Sequence, residues 1–257
     1  MTTLPVSYTK ELRSITGWFG AYPLGQHLVP GMIGRRVQGA FVRDDYLSSL
    51  PGFTAELDAT VVEPDHHGTD AWSSEHVTVS AANLGADGVA LPADAKLTVQ
   101  FSNANQAVFL CQNLREWGFS HPRNVKKFLI ARYRTRDLTH KDIVIMRVKK
   151  TDASWLFFSS ARGQSVDLGL SARPPVSAIS DMLKTAIFDG TLRVAHGGLA
   201  SSGYTAEVLE PATPLFQAIR VKGWIRPETV DVTKGDDEYF EEATFGDPDE
   251  LDLDNED

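Results

Sequence analysis

The chain has 257 residues, of which 42% are apolar and 23% charged, with a net charge of −9 and one cysteine. A chain of this size can bury a substantial core, and one cysteine excludes an internal disulfide framework. No apolar stretch approaches the ~20 residues of a membrane-spanning helix, and the first residues lack the pattern of a secretory signal, so we expect a cytoplasmic protein.

The first half of the chain predicts one helix and several strands. A short helix is expected in "SYTKELRSIT", capped by Ser7. The prolines and glycines of "YPLGQHLVPGMIG" predict a loop there. Alternating apolar and polar residues predict strands in "FTAELDATVVE", "EHVTVSA" and "AKLTVQFS". The apolar run "QAVFLCQN" predicts a buried strand, in which Cys111 is a buried thiol and not a nucleophile.

The second half predicts two helices and further strands. One helix is expected to begin at a capping Asn124 and another, "DMLKTAIFDG", at a capping Ser180. Strands are predicted in "DIVIMRVKK", "SWLFFSS", "SVDLGLS", "TLRVA", "GYTAEVL" and "PLFQAIRVKGWI". Helices and strands do not alternate strictly, which predicts an α+β fold: a mostly antiparallel twisted sheet with a few surrounding helices.

The charges are distributed very unevenly. Residues 228–257 contain 14 Asp and Glu and a single Lys, whereas residues 1–227 carry a net charge of +4. We interpret this as a single α+β body, 1–227, followed by an acidic C-terminal tail, 228–257, for which we predict a regulatory role. Three aromatic residues in the tail, Tyr239, Phe240 and Phe245, are unusual for a solubilising extension, and we interpret them as anchors that contact the body.

A basic segment lies between residues 122 and 150, with ten Lys and Arg against two Asp. It predicts either a solvated helix face or a surface for an anionic partner, attracted by several charges together. That partner is nucleic acid, an anionic membrane or the acidic tail itself. The candidate surface residues are Lys126, Lys127, Arg132, Arg134, Arg136, Lys149 and Lys150.

No pattern in the chain is typical of an enzyme. There is no nucleophile elbow, phosphate-binding loop or dinucleotide fingerprint, so we predict no enzymatic activity and no cofactor. The densest polar cluster, "EPDHHGTDAWSSEH", offers His66, His67, Asp70 and His76 as metal ligands. A surface loop explains the same residues better, because no known ligand spacing is matched. A metal-dependent hydrolase is the weakest hypothesis.

Two segments carry a resemblance to a known family. "DIVIMRVKKTDASWLFFSS" is similar to the central strand and second β segment of bacterial gasdermins, pore-forming proteins of antiphage defence, and "SSGYTAEVLEPATPLFQAIRVKG" to their last strand before the inhibitory tail. The resemblance spans about half the chain, from Gly88 to Trp224. It implies a sheet held inactive by a short C-terminal segment, whose proteolysis frees the body to insert into membranes as an oligomeric pore. Family members commonly carry a lipid-modified cysteine near the N-terminus, whereas positions 2–4 here are Thr-Thr-Leu.

These features lead to two main hypotheses. In the first, the protein is an autoinhibited pore-forming or membrane-targeting effector with a role in antiphage defence and cell death. A protease removes the tail after Arg226 or Lys234, and the freed body oligomerises on anionic lipids. The strands around residues 77–110 are either an ordinary pair or a hairpin that inserts, since a membrane-spanning strand needs ~10 alternating residues. In the second hypothesis, the protein binds nucleic acid or another protein, and its tail mimics phosphate.

Overall fold

The computed structural model describes residues 4–37, 40–54, 57, 59–61, 69–82, 96–170, 192–194, 204–222 and 240–242. Their two helices are α1 (Leu4–Thr16) and α2 (Pro122–Arg134). Their strands are β1 (Phe19–Gly20), β2 (Met32–Val37), β3 (Ala40–Tyr46), β4 (Ala59–Val61), β5 (Thr69–Ser73), β6 (Val77–Ala82), β7 (Lys96–Phe101), β8 (Gln106–Gln112), β9 (Arg115–Phe119), β10 (Ile143–Thr151), β11 (Ala153–Ser159), β12 (Ser165–Leu170), β13 (Leu192–Val194), β14 (Tyr204–Val208), β15 (Ala212–Val221) and β16 (Phe240–Glu242). Every strand pairing among these residues is antiparallel, which confirms the predicted α+β class.

The largest sheet has eight strands and is centred on β10 and β15. These two strands pair along most of their length, from Val144 opposite Ile219 to Thr151 opposite Ala212. The other side of β10 pairs with β2 at its start and with β9 at its end. Strand β3 continues the sheet beyond β2, and β4 pairs with β9.

Both faces of this sheet are covered. Helix α2 packs on one face, where Val125, Leu129 and Tyr133 share a buried cluster with Val144 and Met146 of β10. These helix residues recur every four positions and therefore form one apolar stripe. The opposite face holds a second cluster with buried aromatic residues at Phe19, Phe41 and Phe216, together with Ile143, Ile145 and Val148.

Two four-stranded sheets follow one another along the same chain segments. The proximal sheet has the order β14-β11-β8-β5, and the distal sheet has the matching order β13-β12-β7-β6. Each proximal strand is joined in sequence to the distal strand at the same place in the order, so the distal sheet continues the proximal one. The distal sheet consists of two hairpins, β6–β7 and β12–β13, which meet through the pairing of β7 with β12.

Helix α1 packs on the proximal sheet. Tyr8 and Leu12, one turn apart, are fully buried in a cluster with Phe109 and Phe158, and the Tyr8 hydroxyl donates to the Ala21 carbonyl at 2.7 Å. The approach is close at Gly20, the last residue of β1, where a Cβ atom would clash with Leu12 Cδ1. A larger residue there would displace the Leu12 side chain, so glycine lets β1 lie close to α1.

Both described helices begin earlier than predicted. Helix α1 starts at Leu4, so the predicted cap at Ser7 is wrong and Ser7 lies inside the helix. Helix α2 starts at Pro122 with His121 at the N-cap, so the predicted cap at Asn124 is wrong. Proline suits the first turn because the N–H that it lacks has no partner within the helix. The helix predicted after Ser180 lies outside the described residues.

The strand predictions were right in type but incomplete. The predicted loop "YPLGQHLVPGMIG" ends at Gly31, because Met32–Gly34 already belong to β2. Of the strand predicted in "FTAELDATVVE", the described residues place Ala59–Val61 in β4, and the prediction is wrong at Phe53, Thr54 and Leu57, which lie in no strand. The sequence did not indicate the strands β1, β2, β3, β5, β9 and β16.

Candidate functional site

The outer side of β15 is covered by two short strands from opposite ends of the chain. Strand β1 covers the first half, with Phe19 opposite Phe216 and Gly20 opposite Leu215. Strand β16 covers the second half, with Phe240 opposite Val221. The predicted acidic tail therefore contributes a strand to the main sheet of the body.

Phe240 is the tail residue that packs into the core. Its side chain is only 7% exposed and belongs to the buried cluster between the sheet and α2, which also contains Val125, Leu129 and Val221. The Nζ atom of Lys126 lies 5.8 Å from the centre of its ring, within the range of a cation–π contact. Burying a phenylalanine side chain contributes about 1.5–3 kcal/mol. Phe240 is thus a substantial anchor for a strand of three residues.

The other predicted tail features cannot be placed. Tyr239 and Phe245, the two further anchors, lie outside the described residues, as do the expected cleavage positions Arg226 and Lys234. The register of β16 sets Glu241 opposite Arg220 and Glu242 opposite Ile219. An acidic residue type is therefore paired in the ladder with a basic one.

Five of the predicted basic residues lie on or just after α2. Lys126 and Lys127 are half-buried, and Lys126 is the one beside Phe240. Arg132 donates to Asp137 at 3.1 Å, while Arg134 and Arg136 are exposed after the last buried turn. The structure therefore brings the tail strand next to the first turns of the basic helix.

The other two predicted basic residues, Lys149 and Lys150, lie at the far end of β10. Lys149 is 3.8 Å from the carboxylate of Glu116 and 4.9 Å from the ring centre of Trp18. Lys150 lies 3.6 Å from the ring centre of Trp117, and burial, followed by the nearby charge of Arg115, lowers the pKa of Lys150. The seven predicted residues therefore form two groups, one on α2 and one between strands β9 and β10.

The two central strands of the distal sheet, β7 and β12, have one polar and one apolar face. Leu97, Val99 and Phe101 of β7 are buried, and Val166 and Leu168 of β12 lie opposite them in the same ladder. The intervening residues are polar: Gln100 and Ser165 are exposed, and the Thr98 hydroxyl donates to Asp167 at 2.7 Å across the two strands. This is the alternation that a strand needs in order to separate an apolar from an aqueous phase.

A polar seam joins the proximal and distal sheets. Ser74 accepts a hydrogen bond from the Ala107 N–H at 2.7 Å, and Gln106 accepts one from the Asn103 N–H at 2.8 Å while donating to the Glu75 carbonyl. On the next strand pair, Ser159 donates to the Gln164 side chain at 2.8 Å. These side chains satisfy backbone groups where the ladders are interrupted.

The seam was not predicted from the sequence. His76 and Asn105 adopt a positive φ there, at 61° and 56°. Single serine and glutamine residues between strands do not by themselves predict a hydrogen-bonded seam. The sequence signal that could have indicated it is the pair of polar stretches "SSEH" and "SNANQ", which separate consecutive strands.

The predicted metal cluster is not assembled among the residues that the structure describes. His66 and His67 lie outside them, Asp70 lies in β5, and His76 lies beyond the other end of that strand. Part of the predicted surface loop is therefore a strand. In residues 4–37, 40–54 and the other described ranges, no group of three His, Cys, Asp or Glu side chains could hold a metal.

Cys111 is fully buried in the core beneath α1, as predicted. Burial, and to a lesser degree the carboxylate of Asp70, raises the pKa of the Cys111 thiol well above its usual value. A thiol in this state is a poor nucleophile because it stays protonated.

Neither α1 nor α2, the helices among the described residues, combines the length and apolarity needed to cross a membrane. Comparison with known proteins gives no match: no family model, no curated protein and no solved structure is similar to this chain.

Proposed function

We propose that this protein is an autoinhibited, non-enzymatic effector that forms pores in, or otherwise targets, anionic membranes once its acidic tail is removed. The observation that carries the proposal is the tail strand β16, which completes the main sheet and buries Phe240 beside the basic helix α2. Departure of a tail held in this way uncovers the apolar site of Phe240 beside Lys126 and takes the acidic residues away from the basic helix.

Electrostatics supports a switch of this kind. The whole chain carries a net charge of −9, whereas residues 1–227 alone carry +4. Each basic residue near an anionic membrane contributes about 1 kcal/mol of attraction. Removing residues 228–257 thus changes a protein that an anionic surface repels into one that it attracts.

The distal sheet supports membrane insertion rather than surface binding alone. Strands β7 and β12, one from each hairpin, are amphipathic and pair with each other, and each continues along the chain into a strand of the proximal sheet. The continuous segments Lys96–Gln112 and Ala153–Leu170 are both longer than the ~10 residues that a membrane-spanning strand requires. These two segments are already paired with each other, β7 with β12 and β8 with β11, and form a unit that is able to extend together.

The proposal predicts that departure of the tail strand limits activation. The test is dye release from liposomes that contain anionic lipid, using the full chain before and after specific cleavage between Lys222 and Phe240. We expect cleavage to cause release, and we expect the cleaved Phe240→Asp chain to release dye faster than the cleaved parent, because a carboxylate is unfavourable in the apolar site and the severed tail dissociates more readily. Phe240→Leu, which keeps an apolar side chain, serves as the matched control and stays inactive until it is cut.

Two results would count against this function. One is intact anionic vesicles after cleavage of a body that remains folded by circular dichroism. The other is salt-dependent binding of DNA or RNA, measured by fluorescence anisotropy and strengthened by cleavage, without any effect on vesicles. That second result favours the nucleic-acid hypothesis instead.

A further inference from the structure

The tail strand also covers an edge at which another strand can pair. Among the described residues, Ile219–Val221 of β15 have β16 as their only partner on the outer side, since β1 reaches only Leu215 and Phe216. When the tail leaves, the N–H and C=O groups of this short span lose their ladder. An open edge of this kind is a template for pairing with another chain.

The opposite margin of the same sheet is already open in the described part of the chain. Strand β3 pairs with β2 there and ends the strand order. Val37 and Val42, two of the three large hydrophobic side chains that are exposed among the described residues, lie on the β2–β3 hairpin, and the third is Leu209. A β-bulge leaves Asp44 as an extra residue in β3, so the regular part of the open edge is Ala40–Arg43. These four residues are enough to pair with the three residues of β15 that β16 releases.

Strand direction permits these two edges to join. Strands β15, β10, β2 and β3 are each antiparallel to the next, so β3 runs antiparallel to β15, in the same direction as β16. A second copy in the same orientation therefore presents its β3 to β15 in the direction that the tail strand now occupies. An odd number of strands between the two edges would have made this pairing parallel.

The faces of the sheet also agree. Val42 lies opposite Arg35, which is two residues from Ile33 of the α2-side cluster, whereas its neighbour Phe41 belongs to the cluster on the other face. Because side chains alternate along a strand, Val42 lies on the α2 side. In the joined sheet, an apolar Val42 side chain would stand on the face from which Phe240 has been withdrawn.

We propose that β16 occupies a subunit interface, and that after its release the outer edge of β15 pairs with β3 of a second copy of this chain. The contact is head-to-tail, so each added copy presents a fresh β15 edge, and the assembly grows into a ring or a filament. This inference rests on the proposed function in one respect, the release of the tail. A symmetric pairing of two β15 edges centred on Arg220 is disfavoured, because it sets two guanidinium groups opposite each other.

The first experiment measures assembly without a membrane. The full chain with Phe240→Asp is followed by sedimentation velocity over a range of concentrations. We expect larger species, and we expect Val42→Lys to abolish them, since lysine on an open edge opposes strand pairing. Leu209→Lys is the matched control, because it changes another exposed hydrophobic side chain that lies on neither edge, and assembly should be unchanged. Persistence of the assembly in the Val42→Lys variant, or a monomer in all variants, overturns the proposal.

The second experiment identifies the paired strands. Copies with Val42→Cys and copies with Val221→Cys are mixed under mild oxidation and analysed by mass spectrometry. We expect the mixed disulfide after tail release and little of it before, because Val221 is then covered by Phe240. Replacing Val42→Cys by Arg43→Cys, one residue away on the opposite face, should abolish it. Disulfides that link two Val221→Cys copies, or two Val42→Cys copies, in place of the mixed product refute the head-to-tail contact.

The two proposals fail in different ways. If the Val42→Lys chain still releases dye after cleavage as efficiently as its parent, the membrane function stands and this interface is wrong. If the freed chain assembles through Val42 and Val221 but leaves anionic vesicles intact, the interface stands and the membrane function is wrong.

Discussion

The eight-stranded sheet and the distal sheet are both antiparallel, yet they are built on opposite plans. In the eight-stranded sheet, β10 and β15 carry apolar side chains towards both faces, with α2 on one side and a cluster of aromatic residues on the other. In the distal sheet, β7 and β12 alternate strictly, with one buried and one polar face. A strand with apolar side chains on both faces is stable only where both faces are buried inside the protein. An amphipathic strand needs an apolar surface on one side only, and any such surface of the right shape can bury it.

The two regions also differ in what lies at their margins. The outer side of β15 is shared by β1 and β16, strands of two and three residues that come from distant parts of the chain. The proximal and distal sheets are instead linked through a seam of polar side chains. The eight-stranded sheet is therefore held by its interior and covered along one edge by two short strands, whereas the distal sheet is positioned by hydrogen bonds.

The largest effect is expected from truncating a buried side chain at the centre of the eight-stranded sheet. Phe216 is 1% exposed and lies between Phe19 and Phe41, with ring centres 5.8 and 6.2 Å away. We expect Phe216→Ala to destabilise the whole fold by about 3–5 kcal/mol, through lost burial and a cavity. Urea unfolding followed by circular dichroism measures it. Val42→Ala, in the same sheet but exposed, is the control and should cost less than about 0.5 kcal/mol. Equal effects of the two changes would contradict the assigned core.

A smaller effect is expected at the polar seam. Gln106 is 6% exposed, and its side chain serves both the Asn103 N–H and the Glu75 carbonyl. Gln106→Ala leaves these groups without that partner, which costs about 1–3 kcal/mol. Urea unfolding reports the loss, and hydrogen exchange should speed up selectively around Asn103. Gln100→Ala, at an exposed position of β7, should change neither measurement. Unchanged hydrogen exchange around Asn103 would show that the Gln106 side chain does not stabilise the junction between the proximal and distal sheets.

The smallest effect concerns pH and the buried thiol of the proximal sheet. The folded state raises the pKa of Cys111, so the unfolded thiol ionises first as the pH rises. Stability should therefore be unaffected below about pH 8.5, the ordinary thiol pKa, and should fall above it by at most about 1.4 kcal/mol per pH unit. Urea midpoints between pH 7.5 and 9.5 measure the slope. Cys111→Ala should flatten it, and a variant slope as steep as that of the parent would assign the effect to other groups.

The amphipathic strands were predictable because their partner is simply an apolar surface. The alternation in "AKLTVQFS" identifies β7 without any knowledge of its neighbours, and the same holds for β12. Strand β9 was missed because its start carries Arg115 and Glu116, which look like loop residues. Glu116 is 4% exposed, and it is tolerated there because Arg147 donates to it at 2.9 Å from the neighbouring strand. A partner that is 31 residues away in sequence cannot be identified from local pattern.

Edge strands were also missed by the sequence-based predictions. Strand β3 has one buried residue, Phe41, among seven, so its pattern resembles a polar loop. In the tail, the aromatic residue Phe240 was recognised as an anchor, but the strand around it was not, because three residues carry too little periodicity. The basic residues of α2 were readily identified, whereas their separation from Lys149 and Lys150 follows from the register of β9 and β10 alone.

The order of the last two strands along the chain has a consequence for biosynthesis. The main sheet cannot close until β15 has been made, because β15 joins β1, which is almost 200 residues earlier, to β10. Phe240 follows Val221 by 19 residues, which a ribosome adds in about 1–4 s at roughly 5–20 residues per second. The strand that finishes the body and the strand that covers it therefore emerge almost together. A newly made molecule has only a few seconds in which its body is complete and its edge is bare.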